Sequence, residues 1–181
     1  MDNLELWNSI EKTNPAHTKE VNFGRKMTAI DPYQQVKNAT EKFGPVGVGW
    51  GWTVAKVETI AGINEIAVLI RMWHTSKDNT WEQWGQNSLY IDKAEKKKDG
   101  DCLKKATTDG ITKCLSFIGF NADVFLGKFE DNKYVQGLKE EFAPQRKPNA
   151  NEQSWINAIK NKQATIEDVV EGNREFIKGF L

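Results

Sequence analysis

From Val46 the chain alternates between bulky apolar residues and residues with almost no side chain, a period of two that fits an extended strand and no helix. Val46, Val48, Trp50, Trp52 and Val54 fall on one face, and Gly47, Gly49, Gly51, Thr53 and Ala55 on the other. Glycine weakens a strand and marks a bend or a close approach by another group, so the bare face needs a covering partner. Two more strand-like stretches follow at hairpin spacing. INEIAVLIRMWH places Ile66, Val68, Ile70 and Met72 on one face and Leu69, Arg71 and Trp73 on the other; TWEQWGQNSLYI completes an antiparallel meander. The turns fall at Ala61-Gly62 and Ser76-Lys77-Asp78-Asn79.

Helices flank this meander. The first twenty residues read as a short helix ending near Asn14-Pro15, because the residue before proline disfavours helical geometry, and a basic stretch with Lys19, Arg25 and Lys26 follows. Asp31 is an N-cap with Pro32 at the first helical position, and Gly44 closes that helix behind a stripe of Val36, Ala39 and Phe43. The longest helix spans Cys102 to Ile118, with Gly119 as its cap. At about 100° per residue, Leu103, Ala106, Gly110, Ile111, Cys114, Phe117 and Ile118 form its apolar arc. Lys104, Lys105, Thr108, Asp109, Thr112, Lys113 and Ser116 form its polar arc. The expected class is therefore α+β, an antiparallel three-stranded meander packed against a long helix. The segment APQRKPNAN marks a linker, giving a core domain over 1–142, a linker over 143–150 and a small C-terminal helical module over 151–181. In that module Ser154 and Thr165 are candidate caps.

Composition narrows the function. Charged residues make up 28% and hydrophobic residues 39%, a balance that supports a buried core. Lysine plus arginine equals aspartate plus glutamate at 25 each, so a polyanion site requires local segregation of charge. No apolar run reaches the roughly 18 residues that read as a membrane span, so no membrane partner is expected. Cys102 and Cys114 lack paired zinc-site spacing, and His17 and His74 stand apart from any metal-ligand pattern. The glycines of GPVGVGWGW lie inside a strand instead of between a strand and a helix, which argues against a nucleotide loop. No nucleophile motif occurs; the expected protein is not an enzyme and needs no cofactor or metal. The enzymatic alternative is a magnesium-dependent nuclease built on Asp99, Asp101 and Asp109. A non-enzymatic recombination scaffold that does not bind DNA is the other.

Five of the seven tryptophans lie between Trp50 and Trp84. Trp50 and Trp52 suit a core or a subunit interface. Trp73, Trp81 and Trp84 suit either packing or stacking on bases, with Arg71 sharing the face of Trp73. The lysines at 96–98 form a solvated loop or an arm onto phosphates.

The segment KKATTDGITKCLSFIGF, Lys104 to Phe120, resembles the helix signature of the Rad-type single-strand annealing superfamily, and EKFGPVGVGWGW resembles its Phe-Gly followed by a tryptophan-bearing strand. TNPAHTKEV and TAIDPY are similar to the phage Sak-type branch. The resemblance covers about residues 1–130. It implies a homo-oligomeric ring or helical arc that binds single-stranded DNA and anneals complementary strands in recombination without ATP, in the cytoplasm of a bacterial host. It also implies that the C-terminal module docks a host single-strand-binding protein or a phage exonuclease. Lys104 and Lys113 match basic positions of the family's DNA-facing helix. Thr112 and Ser116 stand where eukaryotic relatives are basic, and Gln34 where they carry arginine. The expected DNA-binding set is thus Lys104, Lys105, Thr108, Thr112 and Lys113, supplemented by Lys19, Arg25, Lys26, Lys56, Arg71 and Trp73.

Overall fold

The sheet is organised by which residues of its middle strand can be buried. In the computed structural model, which describes residues 4–22, 24, 26–60, 62–92, 94–143 and 146–181, β3 (Trp50–Ile60), β4 (Glu65–His74) and β5 (Ser76–Ser88) form an antiparallel sheet in the order β3-β4-β5. Val68, Ile70 and Met72 of β4 are fully buried beneath α3 (Cys102–Ser116), with Ala106, Cys114 and Leu115 facing them from the helix. Trp50, Ala39 and Phe120 complete this core. The fold is α+β, a three-stranded antiparallel meander packed on a long helix, followed by C-terminal helices. The chain divides into two compact units, Met1–Phe142 and Ala143–Leu181.

Local chemistry explains the helix starts. The Asp31 side chain accepts from the Tyr33 and Gln34 N–H groups and Pro32 opens α2 (Pro32–Phe43), which ends at Gly44. In the second unit, Asn149 and Glu152 form a reciprocal capping box at the start of α6 (Ala150–Lys160). Ile156 of α6, Val169 and Ile177 of α7 (Glu171–Lys178) make that unit's small core. Arg146 bonds both Glu152 oxygens at 2.6 Å and lies 3.8 Å over the Phe176 ring. Arginine's planar fork suits both contacts at once.

Several sequence expectations are corrected. The N-terminal helix α1 ends earlier than expected (Glu5–Ile10); Pro15–His17 is a 3-10 turn, and the basic stretch, to which the sequence assigned no element, carries a hairpin of β1 (Thr18–Asn22) and β2 (Lys26–Ile30). These strands are short and largely exposed, so no apolar alternation announces them. The strand read from Val46 begins only at Trp50. Val46 and Val48 occupy the turn before it and are exposed, because the chain reverses there, with the Gly47 N–H bonded to the Trp50 carbonyl. The apolar arc of α3 is rotated from its expected centre. Leu103 and Phe117 are exposed, the latter at 65%, whereas Leu115 and Ser116 are buried. Close packing of Gly110 on β5 sets that rotation, and Ser116 satisfies its hydroxyl by donating to the Lys113 carbonyl.

The remainder of the first unit is tied by one buried carboxylate. Asp123, in α4 (Ala122–Phe125), accepts from the Thr13 N–H and hydroxyl, the Val124 N–H and the Tyr134 hydroxyl. Tyr134 lies on α5 (Asn132–Glu141), so this one group joins the N-terminal segment to both following helices. Burial, and then the Asp123 hydrogen bond, push the Tyr134 hydroxyl well above its ordinary pKa.

Candidate nucleic-acid interface

The Thr-Asp-Gly segment of α3 sits where the helix meets β5. A Cβ on Gly85 would lie 2.1 Å from the Ala106 carbonyl oxygen and 2.2 Å from the Gly110 nitrogen; one on Gly110 would lie 2.6 Å from Ile70 Cγ1. Both glycines are needed for backbone to approach backbone. Asp109 accepts from the Gln86 N–H of β5 at 3.0 Å and from Lys113 Nζ at 2.8 Å. The Thr108 hydroxyl donates back to the Lys104 carbonyl. Each residue of this segment therefore has a structural task, two of them in seating the helix on the sheet.

That seating turns Lys104 and Lys113 outward with different partners. Lys104 pairs with Asp101 at 3.0 Å, Lys105 with Asp99 at 2.7 Å and Lys113 with Asp109 at 2.8 Å. Exposed pairs of this kind contribute about 0–1 kcal/mol and open readily to a competing phosphate. Lys105 is the exception, because its partner's side chain is only 6% accessible. The Lys105 hydrogen bond, followed by the Asp101 backbone N–H, holds the Asp99 carboxyl below its usual range. Thr112 lies half-buried on the same helix.

Lys56, Arg71 and Trp73 come together on the opposite face of the sheet. The register pairs Arg71 with Glu82 and Thr53, and places Lys56 beyond a bulge between Val54 and Lys56. Trp73 covers the bare strand position at Gly51, where a Cβ would lie 3.1 Å from the indole. Lys77 Nζ stands 5.9 Å from that ring's centroid. Trp84 is directly opposite Leu69 on the same face and is partly exposed. Arg71 is paired with Glu82 and Lys56 with Glu58. The expected cations thus occupy two surfaces separated by the sheet, one on α3 and one around Trp73. A further pair sits on the β1–β2 hairpin, where alternation points Lys19 and Lys26 to opposite faces. Lys26 pairs with Glu20, while Lys19 is exposed with no ion pair among the described residues. Arg25 lies outside the described residues.

The remaining tryptophans have other tasks. Trp50 is fully buried, Trp52 packs beside it at 5.6 Å between centroids, and Trp81 donates its indole N–H to the Cys114 carbonyl. His74 stacks on Phe43 at 4.8 Å and meets the Trp81 ring edge-on at 5.5 Å, so the ring serves as an aromatic packing group, and desolvation there lowers its pKa. Burial likewise pushes the Cys114 thiol up to about 11. Asp99, Asp101 and Asp109 each engage a different lysine, and among the described residues no group of three His, Cys, Asp or Glu side chains is arranged to hold a metal ion. Nor is any helix among them long and apolar enough to cross a membrane.

Gln35 escaped the sequence reading, although its spacing carries a signal. It lies one turn before Ala39 on the buried stripe of α2, a polar residue in an apolar row, and is 1% exposed. No family model matches the chain, and no curated protein is significantly similar to it.

Proposed function

We infer that this protein binds single-stranded DNA and anneals complementary strands as a homo-oligomer, without nucleotide hydrolysis. The observation that carries the reading is the outward row on α3, where Lys104 is held by an exposed pair and Lys113 by a partly exposed one, beside the half-buried Thr108 and Thr112. A phosphate can replace Asp101 or Asp109 at little cost, since each existing pair contributes no more than about 1 kcal/mol. Annealing requires no bond chemistry. It requires strands held by their phosphates and released when the duplex forms, with many protomers acting along one strand. The Thr-Asp-Gly likeness to Rad-type annealing proteins supports the reading, with the qualification that two of those three residues here seat the helix on β5. The surface of half-buried Trp73 and exposed Trp84 is a secondary strand contact, and the C-terminal module, residues 151–181, is the region proposed to dock a protein partner such as a host single-strand-binding protein or a phage exonuclease.

The deciding experiment mixes complementary labelled oligonucleotides with the protein in the absence of ATP. Expected are accelerated pairing and a steep loss of binding with salt. Lys104→Ala and Lys113→Ala should each lower the salt slope by about 0.7, the loss of one single-strand phosphate contact. No strand binding and no acceleration would overturn the assignment.

A further inference from the structure

A cavity of about 120 Å³ lies among the Asn14–His17 turn, the first half of α2 and Asn121. Its wall contains two buried carboxamides with unmet hydrogen-bonding capacity. Among the described residues, Gln35 Nε2, Gln35 Oε1 and Asn121 Oδ1 have no hydrogen-bond partner, whereas Asn121 Nδ2 donates to the Thr13 hydroxyl at 2.9 Å. Leaving such groups unmet is unfavourable, because they give up their hydrogen bonds to water without replacement, and buried polar side chains are ordinarily satisfied. The wall therefore presents one donor and two acceptors at a defined place.

The chemistry of the wall restricts what can satisfy them. Lys12, exposed at the rim, is engaged by both oxygens of Glu141 at 2.7 and 2.8 Å, so the interior groups call for a neutral ligand. The volume is below the roughly 300–1,000 Å³ of sites that enclose a drug-sized molecule, and thus admits a single ring. Ile30 and Phe142 add apolar surface. A neutral ring with a donor beside an acceptor on its edge is the chemistry of a nucleobase, which a glutamine carboxamide pairs with in a bidentate manner. Lys19, which has no ion pair among the described residues, follows two residues after His17 of the wall and is a candidate cation for the adjoining phosphate.

We propose that this cavity takes one nucleobase of the bound single strand, with Gln35 reading its edge and Asn121 Oδ1 accepting a further hydrogen bond. The proposal rests on the single-strand-binding reading and adds to it a second, uncharged contact in each protomer. An extruded base there would interrupt the stack at a fixed point on every subunit and set how many nucleotides each subunit spans.

The test compares a normal oligonucleotide with abasic oligonucleotides of equal length and charge, using the full chain and its Gln35→Met variant. Expected is about tenfold tighter wild-type binding of the base-bearing strand, the scale of one paired base contact, with most of that preference lost in the variant and abasic binding unchanged. An equal preference in both proteins would overturn the proposal and assign the cavity to bound water, of which its volume equals about four molecules. Failure of the wild type to bind either strand would overturn the underlying reading as well. Should Gln35→Met not fold, photocrosslinking the wild type to an iodouracil-substituted strand decides the question. Adducts on the 12–17 or 30–38 peptides support the proposal, and adducts confined to α3 or the Trp73 face overturn it. Competition by free thymidine at the strength of the strand would assign the cavity to a soluble nucleoside and overturn the strand assignment.

Discussion

Lys104 and Lys105 are adjacent, yet only one is free to leave its partner without harm to the fold. Lys104→Ala releases an exposed Asp101, which water solvates, so the melting temperature should hold while strand affinity falls uniformly across sequences. Lys105→Ala strands the nearly buried Asp99, and the melting temperature should drop with or without DNA present. Thermal melts of the two variants check this; equal melting temperatures would show that the Asp99 pair is as dispensable as the Asp101 pair. Glu152 gives a pH signature in the second unit. Arg146, and then the Asn149 N–H, depress its pKa to about 2 from an ordinary 4.5. The folded state thus keeps the carboxylate ionised where the unfolded chain would protonate it. Its contribution is present in full above about pH 4.5 and is lost as pH falls toward 2. Helicity of the 143–181 unit should therefore decline across that window. Glu152→Gln should start lower and show a flatter decline, measured by circular dichroism against pH.

The junction of α3 and β5 explains why a glycine occupies a mid-helix position that costs about 1 kcal/mol relative to alanine. Gly110→Ala improves helix propensity but drives a methyl to 2.6 Å from the Ile70 side chain and presses on Gly85. Overpacking of this kind costs about 1–3 kcal/mol, so the net expectation is destabilisation in urea titration, with α3 displaced from β5. An unchanged or raised midpoint would mean the contact has slack. The same junction marks how far sequence could be read. The Asp31-Pro32 start of α2 and the buried row Val68, Ile70 and Met72 were legible because local chemistry and strand period decide them. The centre of α3's buried arc was not, because Gly85 and Gly110 let the helix turn its small residues inward and leave Leu103 and Phe117 in water. The β1–β2 hairpin was missed because its faces carry mixed, exposed residues. Among the candidate site residues, the Lys104–Asp101 and Lys113–Asp109 pairs follow from helical spacing. Lys105–Asp99 and Arg71–Glu82, and the division of cations between two faces of the sheet, depend on packing that spacing does not encode.

The first unit leaves one side of its sheet unfinished. α3 packs over β4 and β5, whereas β3 forms an 11-residue edge whose inward-facing Val54 and Val57 stay about half exposed beside the buried Ile70 and Val68. An edge of that length with adjoining apolar side chains is a template for another strand, and natural proteins charge it, cover it or join it. Under the proposed function a second copy of the chain joins it, so that closure of many such contacts produces the ring or arc. Replacing Val54 and Val57 with lysine places like charges beside the edge while leaving the β4 core untouched. The variant should shift from oligomer to monomer in light scattering at micromolar concentration. It should retain weak binding to short oligonucleotides through α3 and lose acceleration of annealing, because one protomer holds too few phosphates to keep a strand extended. A folded Val54→Lys, Val57→Lys variant with wild-type oligomer size would move the subunit contact away from β3. Loss of short-strand binding together with monomerisation would instead require the DNA site to be completed by the neighbouring subunit.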